Sequence, residues 1–194
     1  MILSDRDIKK YIRQGKIQIK PKPNFKEQLG PCSLDLHLGN VFRVFNHTEY
    51  PFIDLKNPQF PIEKMMTELK LTENKSFILR PGDFVLAVTR EEIILPSDIM
   101  ARLDGRSSLG RLGLVVHSTA ARFDPGWVGK AVMEIGNLGA IPIALYPGLR
   151  ICALTFEELS SPAQTPYLKK KSRKYAGQKT PLASRISQEI KKKK

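Results

Sequence analysis

The chain has 194 residues, and its 41% hydrophobic and 8% aromatic content is enough for the core of one domain. No run approaches the roughly 20 apolar residues that span a bilayer, and acids interrupt the N-terminus where a secretory signal would be apolar, so we expect a cytoplasmic protein without membrane contact. The net charge of +13 is concentrated at one end, because residues 168–194 carry eleven Lys and Arg and one acid.

Cysteine and histidine are sparse and scattered. Cys32 and Cys152 are far apart, and neither belongs to a Cys-x-x-Cys pair. His37, His47 and His117 show no H-x-x-x-H or H-x-E spacing. This pattern predicts neither a disulfide framework nor a protein-bound zinc site. It leaves open a Mg²⁺ ion that arrives on a phosphate substrate, because such an ion needs few protein ligands.

A short helix is predicted near the N-terminus. Ser4 can cap it, and Asp7 occupies the capping-box position three residues later. Apolar side chains follow helical spacing at Ile8, Tyr11 and Ile12. Gly15 can end the helix, and a short strand is expected at residues 17–20.

From there to Tyr167 the pattern is mostly that of β-structure. Short apolar or alternating runs occur at residues 33–38, 41–45, 76–79, 84–88, 99–103, 114–117, 130–135, 143–145 and 150–156. Pro-Gly pairs at 81–82, 125–126 and 147–148 predict turns, because Pro presets φ and Gly accepts a positive φ. Short helices are expected at 61–69, with a proline at the first position, and at 107–112, capped by a serine. Many short strands at close spacing favour a sandwich, jelly roll or small barrel.

Beyond Pro166 the composition changes. Residues 169–178 are basic and lack an apolar period, so we expect this segment to bury little surface and to stay loose until an anion orders it, as a lid does. The four terminal lysines, residues 191–194, allow two interpretations: binding to polyanions, or a solvated mobile end.

The segment Gly105-Arg106-Ser107-Ser108-Leu109-Gly110-Arg111 has the composition of an anion cradle. Guanidinium groups bind phosphate oxygens in bidentate fashion, hydroxyls add hydrogen bonds, and glycine lets backbone N–H groups approach. The alternative is that Arg106 and Arg111 are surface residues paired with Asp104 or other acids. The Gly-Lys-Ser/Thr ending of a Walker A loop is missing.

Glu134 is the single acid in the apolar, strand-like run 130–135. Alternation separates it from Ala131, Met133 and Ile135, which share the opposite face of the strand. It could act as a general base that deprotonates a water molecule. The alternative is an exposed carboxylate on a half-buried strand.

Several other residues allow both a structural and a functional interpretation. Asp124 opens a Pro-Gly turn or accepts a sugar hydroxyl, and Trp127 is expected in the core or an interface rather than as a base-stacking platform. Asp35 is expected to be a structural acid of a strand, either buried and hydrogen-bonded or outward. The pair His117-Ser118 does not indicate a hydrolase triad, because no Gly-x-Ser-x-Gly elbow is present.

Several of these segments, in this order and spacing, resemble the dCTP deaminase family, a branch of the dUTPase-like superfamily. The central matches are residues 104–113 (DGRSSLGRLG), 117–120 (HSTA), 124–127 (DPGW) and Glu134. The resemblance continues at residues 3–8 near the start and at Ser161-Pro162-Ala163, Tyr167, Lys174-Tyr175 and Gln178 near the end. It covers nearly the whole chain except the last few lysines.

The resemblance implies a mainly β fold, a distorted β-barrel or jelly roll of the dUTPase-like type, with a short N-terminal helix and a flexible C-terminal lid. Residues 1–167 would form the catalytic domain and residues 168–194 the basic lid and tail. It implies a homotrimer with active sites shared between subunits. The implied reaction is hydrolytic deamination of dCTP to dUTP and ammonia, supplying dUTP for dUMP and thymidylate synthesis, with Mg²⁺ on the triphosphate and no zinc.

The same resemblance implies roles for individual residues. Glu134 would be the general acid and base that activates water for attack on C4 of cytosine. Ser107 and the Ala120 carbonyl would orient that water, with Arg111 and Ser107 supporting the developing charge. Asp124 would meet the deoxyribose hydroxyl. The other contacts would come from the phosphate-binding turn, the backbone beside the base and the closing tail, at Arg106, Ser108, Leu109, Gly110, Arg111, Val132, Met133, Tyr167, Lys174 and Gln178.

Other functions stay open. A bifunctional enzyme would carry dUTP on to dUMP, and a dUTPase would act on dUTP alone; Arg122 favours the deaminase-only branch, whereas Ala121 matches neither branch's pattern. Family members are often inhibited by dTTP, and His117 lies in the region linked to that switch. A nucleic-acid-binding module that uses the basic tail is the alternative from another class. The nearly balanced charge of the rest of the chain argues against it, so no nucleic-acid partner is expected.

Overall fold

A computed structural model describes residues 1–46, 52–57 and 60–190. The helices are short: α1 (Asp5–Arg13), α2 (Phe25–Gln28), α3 (Ser107–Gly110) and α4 (Ser187–Ile190). The strands are β1 (Gln18–Lys20), β2 (Ser33–Phe45), β3 (Met66–Lys70), β4 (Phe77–Leu79), β5 (Phe84–Ile94), β6 (Ile99–Gly105), β7 (Leu114–Val115), β8 (Arg122–Phe123), β9 (Val128–Asn137), β10 (Ile143–Leu145) and β11 (Arg150–Glu158). Single 3₁₀ turns occur at Ile62–Met65 and Tyr167–Lys169.

The strands form a nine-stranded antiparallel sheet that curls into a half-barrel, which confirms the mainly β fold predicted from the sequence. Its main order is β7-β9-β5-β2-β11-β6-β8, with β1 paired to β5 and β3 paired to β2. A second, two-stranded sheet joins β4 and β10. In the described part of the chain, no helix has the length and apolar character needed to cross a membrane.

The N-terminal helix is confirmed. The Ser4 hydroxyl accepts a hydrogen bond from the Asp7 N–H, and Gly15 follows the helix with a φ of +75°. Ile8, on the apolar stripe, is fully buried. The N–H of Leu3 donates to the carbonyl of Phe156 at 2.9 Å, which ties the start of the chain to β11.

Two predicted elements differ in the structure. The runs 33–38 and 41–45 form one strand, β2, whose pairing with β5 shifts register between Leu38 and Phe42. Gly39 lies at this irregularity, and a Cβ there would stand 2.8 Å from the Val88 carbonyl, so the glycine permits a close approach rather than ending the strand. The helix predicted at 61–69 is wrong, because only Ile62–Met65 turns and β3 follows at once.

The alternation predicted for the run around Glu134 is confirmed in β9. Ala131, Met133 and Ile135 are fully buried in the core, whereas Val132 and Glu134 are only half-buried on the opposite face. The three predicted Pro-Gly turns are also confirmed, since each glycine has a positive φ: Gly82, Gly126 and Gly148. Trp127 lies in the core, as expected, with 7% of its surface exposed.

Candidate active site

The carboxylate of Glu134 lies beside a short backbone segment rather than in open solvent. Its Oε2 accepts a hydrogen bond from the Ser118 N–H at 3.1 Å, and its own N–H donates to the Val116 carbonyl at 3.0 Å. His117, between these two residues, has a buried Nδ1 without a hydrogen-bond partner among the described residues. The segment therefore holds the acid in place through the backbone, which favours a positioned base over a free surface carboxylate.

The backbone of Val132 forms an open edge next to this acid. The N–H groups of Glu134 and Lys130 point away from β5, toward Val116 and Gln178 respectively. By strand alternation, the N–H and carbonyl of Val132 point the same way. Among the described residues, the N–H and the carbonyl of Val132 have no hydrogen-bond partner on this side of β9. One donor and one acceptor are thus available to a planar ligand.

A cleft of about 460 Å³ opens in front of this edge, between the sheet and the C-terminal segment. Six of the residues predicted to contact substrate line it: Ala120, Asp124, Val132, Glu134, Tyr167 and Gln178. Its apolar wall comes from Phe45, Met66, Phe84, Leu86 and Leu182. The cleft therefore combines one carboxylate and a free backbone edge with apolar surface, which suits a flat heterocycle.

The C-terminal segment packs directly on β9. The Gly177 N–H donates to the Val128 carbonyl at 2.8 Å, and the Lys130 N–H donates to the Gln178 carbonyl at 2.9 Å. Gln178 is only 7% exposed, so the expectation that this segment buries little surface is wrong at this point. Close approach explains the difference, because a Cβ on Gly129 would stand 3.0 Å from the Gln178 carbonyl.

Aromatic side chains connect the tail to the turn at 125–126. The rings of Trp127 and Tyr167 lie 5.2 Å apart, and Phe123 packs edge-on against Trp127 at 5.0 Å. The Tyr167 N–H donates to the Pro125 carbonyl at 2.8 Å, and the Tyr167 hydroxyl accepts from the Tyr175 N–H at 3.1 Å. Tyr167 is thereby held at the mouth of the cleft.

Asp124 binds two cations at the cleft. Its carboxylate lies 3.1 Å from Nε of Arg122 and 3.4 Å from Nζ of Lys170. Arg122 projects from β8, whereas Lys170 belongs to the tail. The acid is thus bound both to β8, which it directly follows, and to the C-terminal segment, and it remains within the cleft lining.

The serine-rich turn at residues 105–111, predicted as the anion cradle, lies outside this cleft. It forms α3, and Arg106 rather than a serine occupies the N-cap position, so the predicted serine cap is wrong. The Arg106 carbonyl accepts the N–H groups of Leu109 and Gly110, both at 2.9 Å. Ser107, Ser108 and Arg111 are exposed, and their side chains make no hydrogen bond or ion pair within the described residues. Within this turn, the Leu109 side chain is the one that packs against the hydrophobic core of the described residues.

Comparison of the sequence with models of known protein families gives one match that covers most of the chain. The family model described as dCTP deaminase-like matches residues 2–159. This chain belongs to the dCTP deaminase-like family. The resemblance inferred from the sequence motifs is therefore confirmed.

Individual relatives extend the comparison over the whole chain. A dCTP deaminase from Thermomicrobium roseum is 54% identical over 190 residues, which are 98% of this chain and 96% of the relative. A dUMP-forming dCTP deaminase from Dictyoglomus thermophilum is 50% identical over 187 residues, covering 96% and 95%. The crystal structure of 2'-deoxycytidine 5'-triphosphate deaminase from Agrobacterium tumefaciens matches with a TM-score of 0.61 at 24% identity. It covers 81% of this chain but only 47% of that one, and it shows the fold alone.

Besides the turn at residues 106–111, two further residues expected to contact substrate in a dCTP deaminase do not line the cleft in this structure, Met133 and Lys174. Met133 is expected to meet the base through its backbone, but it pairs with Ala87, and strand alternation directs its N–H and carbonyl toward β5 while its side chain lies in the core. Lys174 forms an ion pair with Glu189 of α4. Their roles in substrate binding stay predictions, as does that of the turn. The terminal lysines 191–194 and His47 lie outside the described residues.

Reasoning from the sequence missed a polar cluster behind the turn of this dCTP deaminase-like chain. Asp35 on β2 binds both Arg106 and Arg150, and the buried Glu91 accepts hydrogen bonds from the backbone and lies 2.6 Å from Nδ1 of His37. Within the described residues, no group of three or more His, Cys, Asp and Glu side chains is arranged to hold a metal ion. Arg106 thus has an acidic partner, but it is Asp35 and not the neighbouring Asp104. Strand order brings these residues together, and the sequence carries no signal for it.

Proposed function

We propose that this chain hydrolyses the exocyclic amine of dCTP, giving dUTP and ammonia. The observation that carries the proposal is the position of Glu134, whose carboxylate lies in the cleft next to the open backbone edge of Val132. Membership of the dCTP deaminase-like family supplies the substrate class. The Mg²⁺ complex of the nucleotide is the proposed substrate form.

In the proposed reaction, Glu134 takes a proton from a water molecule as the water oxygen attacks C4 of cytosine. The C4–N4 bond then breaks, the same proton is delivered to the departing amine, and the remaining water proton passes from the C4 hydroxyl to N3, so that water and dCTP give dUTP and ammonia. The Ala120 carbonyl would orient the water, and Ser107 would assist it. General acid and base catalysis of this kind contributes about 100- to 10,000-fold. The mechanism gives water activation to Glu134 and needs no zinc.

The base would be recognised at the edge of β9. The Val132 N–H can donate to a ring acceptor, and the Val132 carbonyl can accept from the amine. Asp124 would accept the hydrogen bond of the deoxyribose hydroxyl after releasing one of its cations. Tyr167 and Gln178 would close the cleft from the tail, with Lys174 leaving Glu189 for a phosphate.

The phosphate-binding turn would come from a neighbouring subunit. In one chain the turn and the cleft are separate, and the side chains of Ser107, Ser108 and Arg111 are exposed and unpaired within the described residues. Beside the turn, three apolar side chains are 60%, 78% and 76% exposed: Leu112, Leu138 and Ile141. Since such a patch marks an interaction surface, a homotrimer that joins turn and cleft is the proposed assembly.

Ammonia release from dCTP with Mg²⁺ tests the activity. Glu134→Gln should abolish turnover while dUTP still binds, because the side chain keeps its shape and loses its basicity. Glu92→Gln is the matched control, since Glu92 is a half-buried acid on the adjacent strand β5 that does not line the cleft. Normal turnover by Glu134→Gln would refute the assignment. A zinc chelator should have no effect.

Subunit mixing tests the shared site. Glu134→Gln and Arg111→Ala are each expected to be inactive, but random mixed trimers should regain about a quarter of the wild-type sites, because each site takes its acid and its turn from different subunits. Sedimentation should show a trimer. Mixed samples that stay inactive after subunit exchange would show that each site lies within one chain.

A second candidate is the bifunctional reaction that ends in dUMP, since a relative at 50% identity carries the printed name dUMP-forming. Chromatography of the products from dCTP separates the two. Accumulating dUTP supports the deaminase-only enzyme favoured by Arg122, whereas dUMP without free dUTP supports the bifunctional one. Adding dTTP to the same assay tests the expected inhibition.

A further inference from the structure

Three strands bring two arginines onto one carboxylate behind the serine-rich turn. Asp35 Oδ2 lies 3.1 Å from Nε of Arg106 and 3.4 Å from Nη1 of Arg150. Arg106 Nη1 also donates to the Arg150 backbone carbonyl at 3.0 Å. Asp35 belongs to β2, Arg150 begins β11, and Arg106 follows β6, so the contact depends on these strands being neighbours.

Asp35 is held in place through both its side chain and its backbone carbonyl. Its side chain is only 18% exposed, and its backbone carbonyl accepts a hydrogen bond from the amide of Gln28 at 2.9 Å. Gln28 itself is buried at 3% exposure. If this carboxylate turned to another partner, Arg106 and Arg150 would keep only their hydrogen bonds to backbone carbonyls and lose their acidic partner. Breaking a partly buried ion pair costs more than breaking one at the surface.

Arg106 connects this ion cluster to the turn. Its side chain is bound on two nitrogens, while its backbone carbonyl accepts the N–H groups of Leu109 and Gly110. The next carbonyl, that of Ser107, accepts the Arg111 N–H at 3.0 Å. The orientation of the turn, and of the exposed Arg111 at its end, therefore depends on where Asp35 holds Arg106.

We propose that Asp35 is a positioning residue for the triphosphate: it anchors Arg106, so that the turn presents Ser107, Ser108 and Arg111 to the phosphates. Arg106 then acts through the turn and does not contact phosphate itself, in contrast to the expectation from family resemblance. Arg150 shares the same carboxylate and leaves the cluster with one net positive charge, which favours an anion at this end of the sheet. The inference rests on the proposed function, because it assumes a nucleoside triphosphate as ligand.

Asp35→Asn separates this role from the alternatives. The variant should bind dUTP at least about tenfold more weakly, because a charge-assisted anchor is lost, while deoxyuridine binding is unchanged. Asp35→Glu should restore part of the dUTP affinity. If Arg106 were instead a phosphate ligand that Asp35 restrains, Asp35→Asn would bind dUTP as tightly as wild type or more tightly. If Asp35 were only structural, both ligands would weaken together.

The control is Asp98→Asn, which removes the acid of an ion pair with Lys16 at the end of β6 opposite to the turn. It should leave both affinities unchanged. If Asp35→Asn does not fold, a crystal structure of the wild type with dUTP decides: Arg106 should remain on Asp35, and a direct contact between Arg106 and a phosphate would overturn the inference. A wild type that neither binds dUTP nor releases ammonia would refute the proposed function, whereas an active wild type with unaltered Asp35→Asn refutes only this inference.

Discussion

Replacing Gly126 with alanine should displace the C-terminal segment from the cleft. Gly126 has a φ of +78°, and an added Cβ would stand 2.6 Å from Cβ of Pro166 and 3.2 Å from the Tyr167 nitrogen. Carbon atoms in contact lie about 3.5–4.0 Å apart, so Pro166 must move by roughly 1 Å. That movement breaks the Tyr167–Pro125 hydrogen bond, which starts the tail on its path over the cleft.

The chain offers a matched control for the magnitude. Gly82 also follows a proline and has the same φ of +78°, but nothing lies within 4 Å of its added Cβ. Gly82→Ala should therefore lose only the cost of a left-handed alanine, about 1–2 kcal/mol. Gly126→Ala carries the same cost and an overpacking term of about 1–3 kcal/mol, or it avoids the second term by releasing the tail.

Three measurements distinguish these outcomes. Urea unfolding gives the free energies of the two variants, and brief trypsin digestion reports exposure of the basic segment at 169–173. Gly126→Ala should be cut faster there and should show a raised KM for dCTP, because Tyr167 and Gln178 no longer line the cleft. Equal stability, digestion and kinetics for Gly126→Ala and Gly82→Ala would refute the reasoning, since the turn would then yield without moving the tail.

Two further predictions concern the core. Burial raises the pKa of the Cys152 thiol well above its usual range, whereas Cys32 is exposed, so iodoacetamide should label Cys32 alone in the native protein and both after unfolding; mass spectrometry that finds native Cys152 labelled would contradict this. Asn137→Ala should lower the free energy of unfolding by about 3 kcal/mol in urea titrations, because the buried amide donates to the carbonyls of Leu79 and Ile141. A loss below about 1 kcal/mol would show that water replaces the amide.

Local features of the fold could be predicted because they depend on neighbours in sequence. The capped helix α1, the three Pro-Gly turns and the alternation of β9 around Glu134 follow from side-chain period and turn chemistry alone. The run at 61–69 shows the limit of such reasoning. A proline followed by apolar and charged residues suits a helix, yet pairing with β2 places residues 66–70 in a strand.

The sequence by itself determined the family, the acid at the centre of the proposed chemistry and the composition of the anion-binding turn. Only the tertiary structure decided which groups these residues meet. Arg106 faces Asp35 because β2, β11 and β6 are adjacent, and the tail packs on β9 because Gly126 and Gly129 leave room for it. Such contacts join residues more than thirty positions apart, and the order of strands in a sheet, which sets them, is a property of the whole fold rather than of any local pattern.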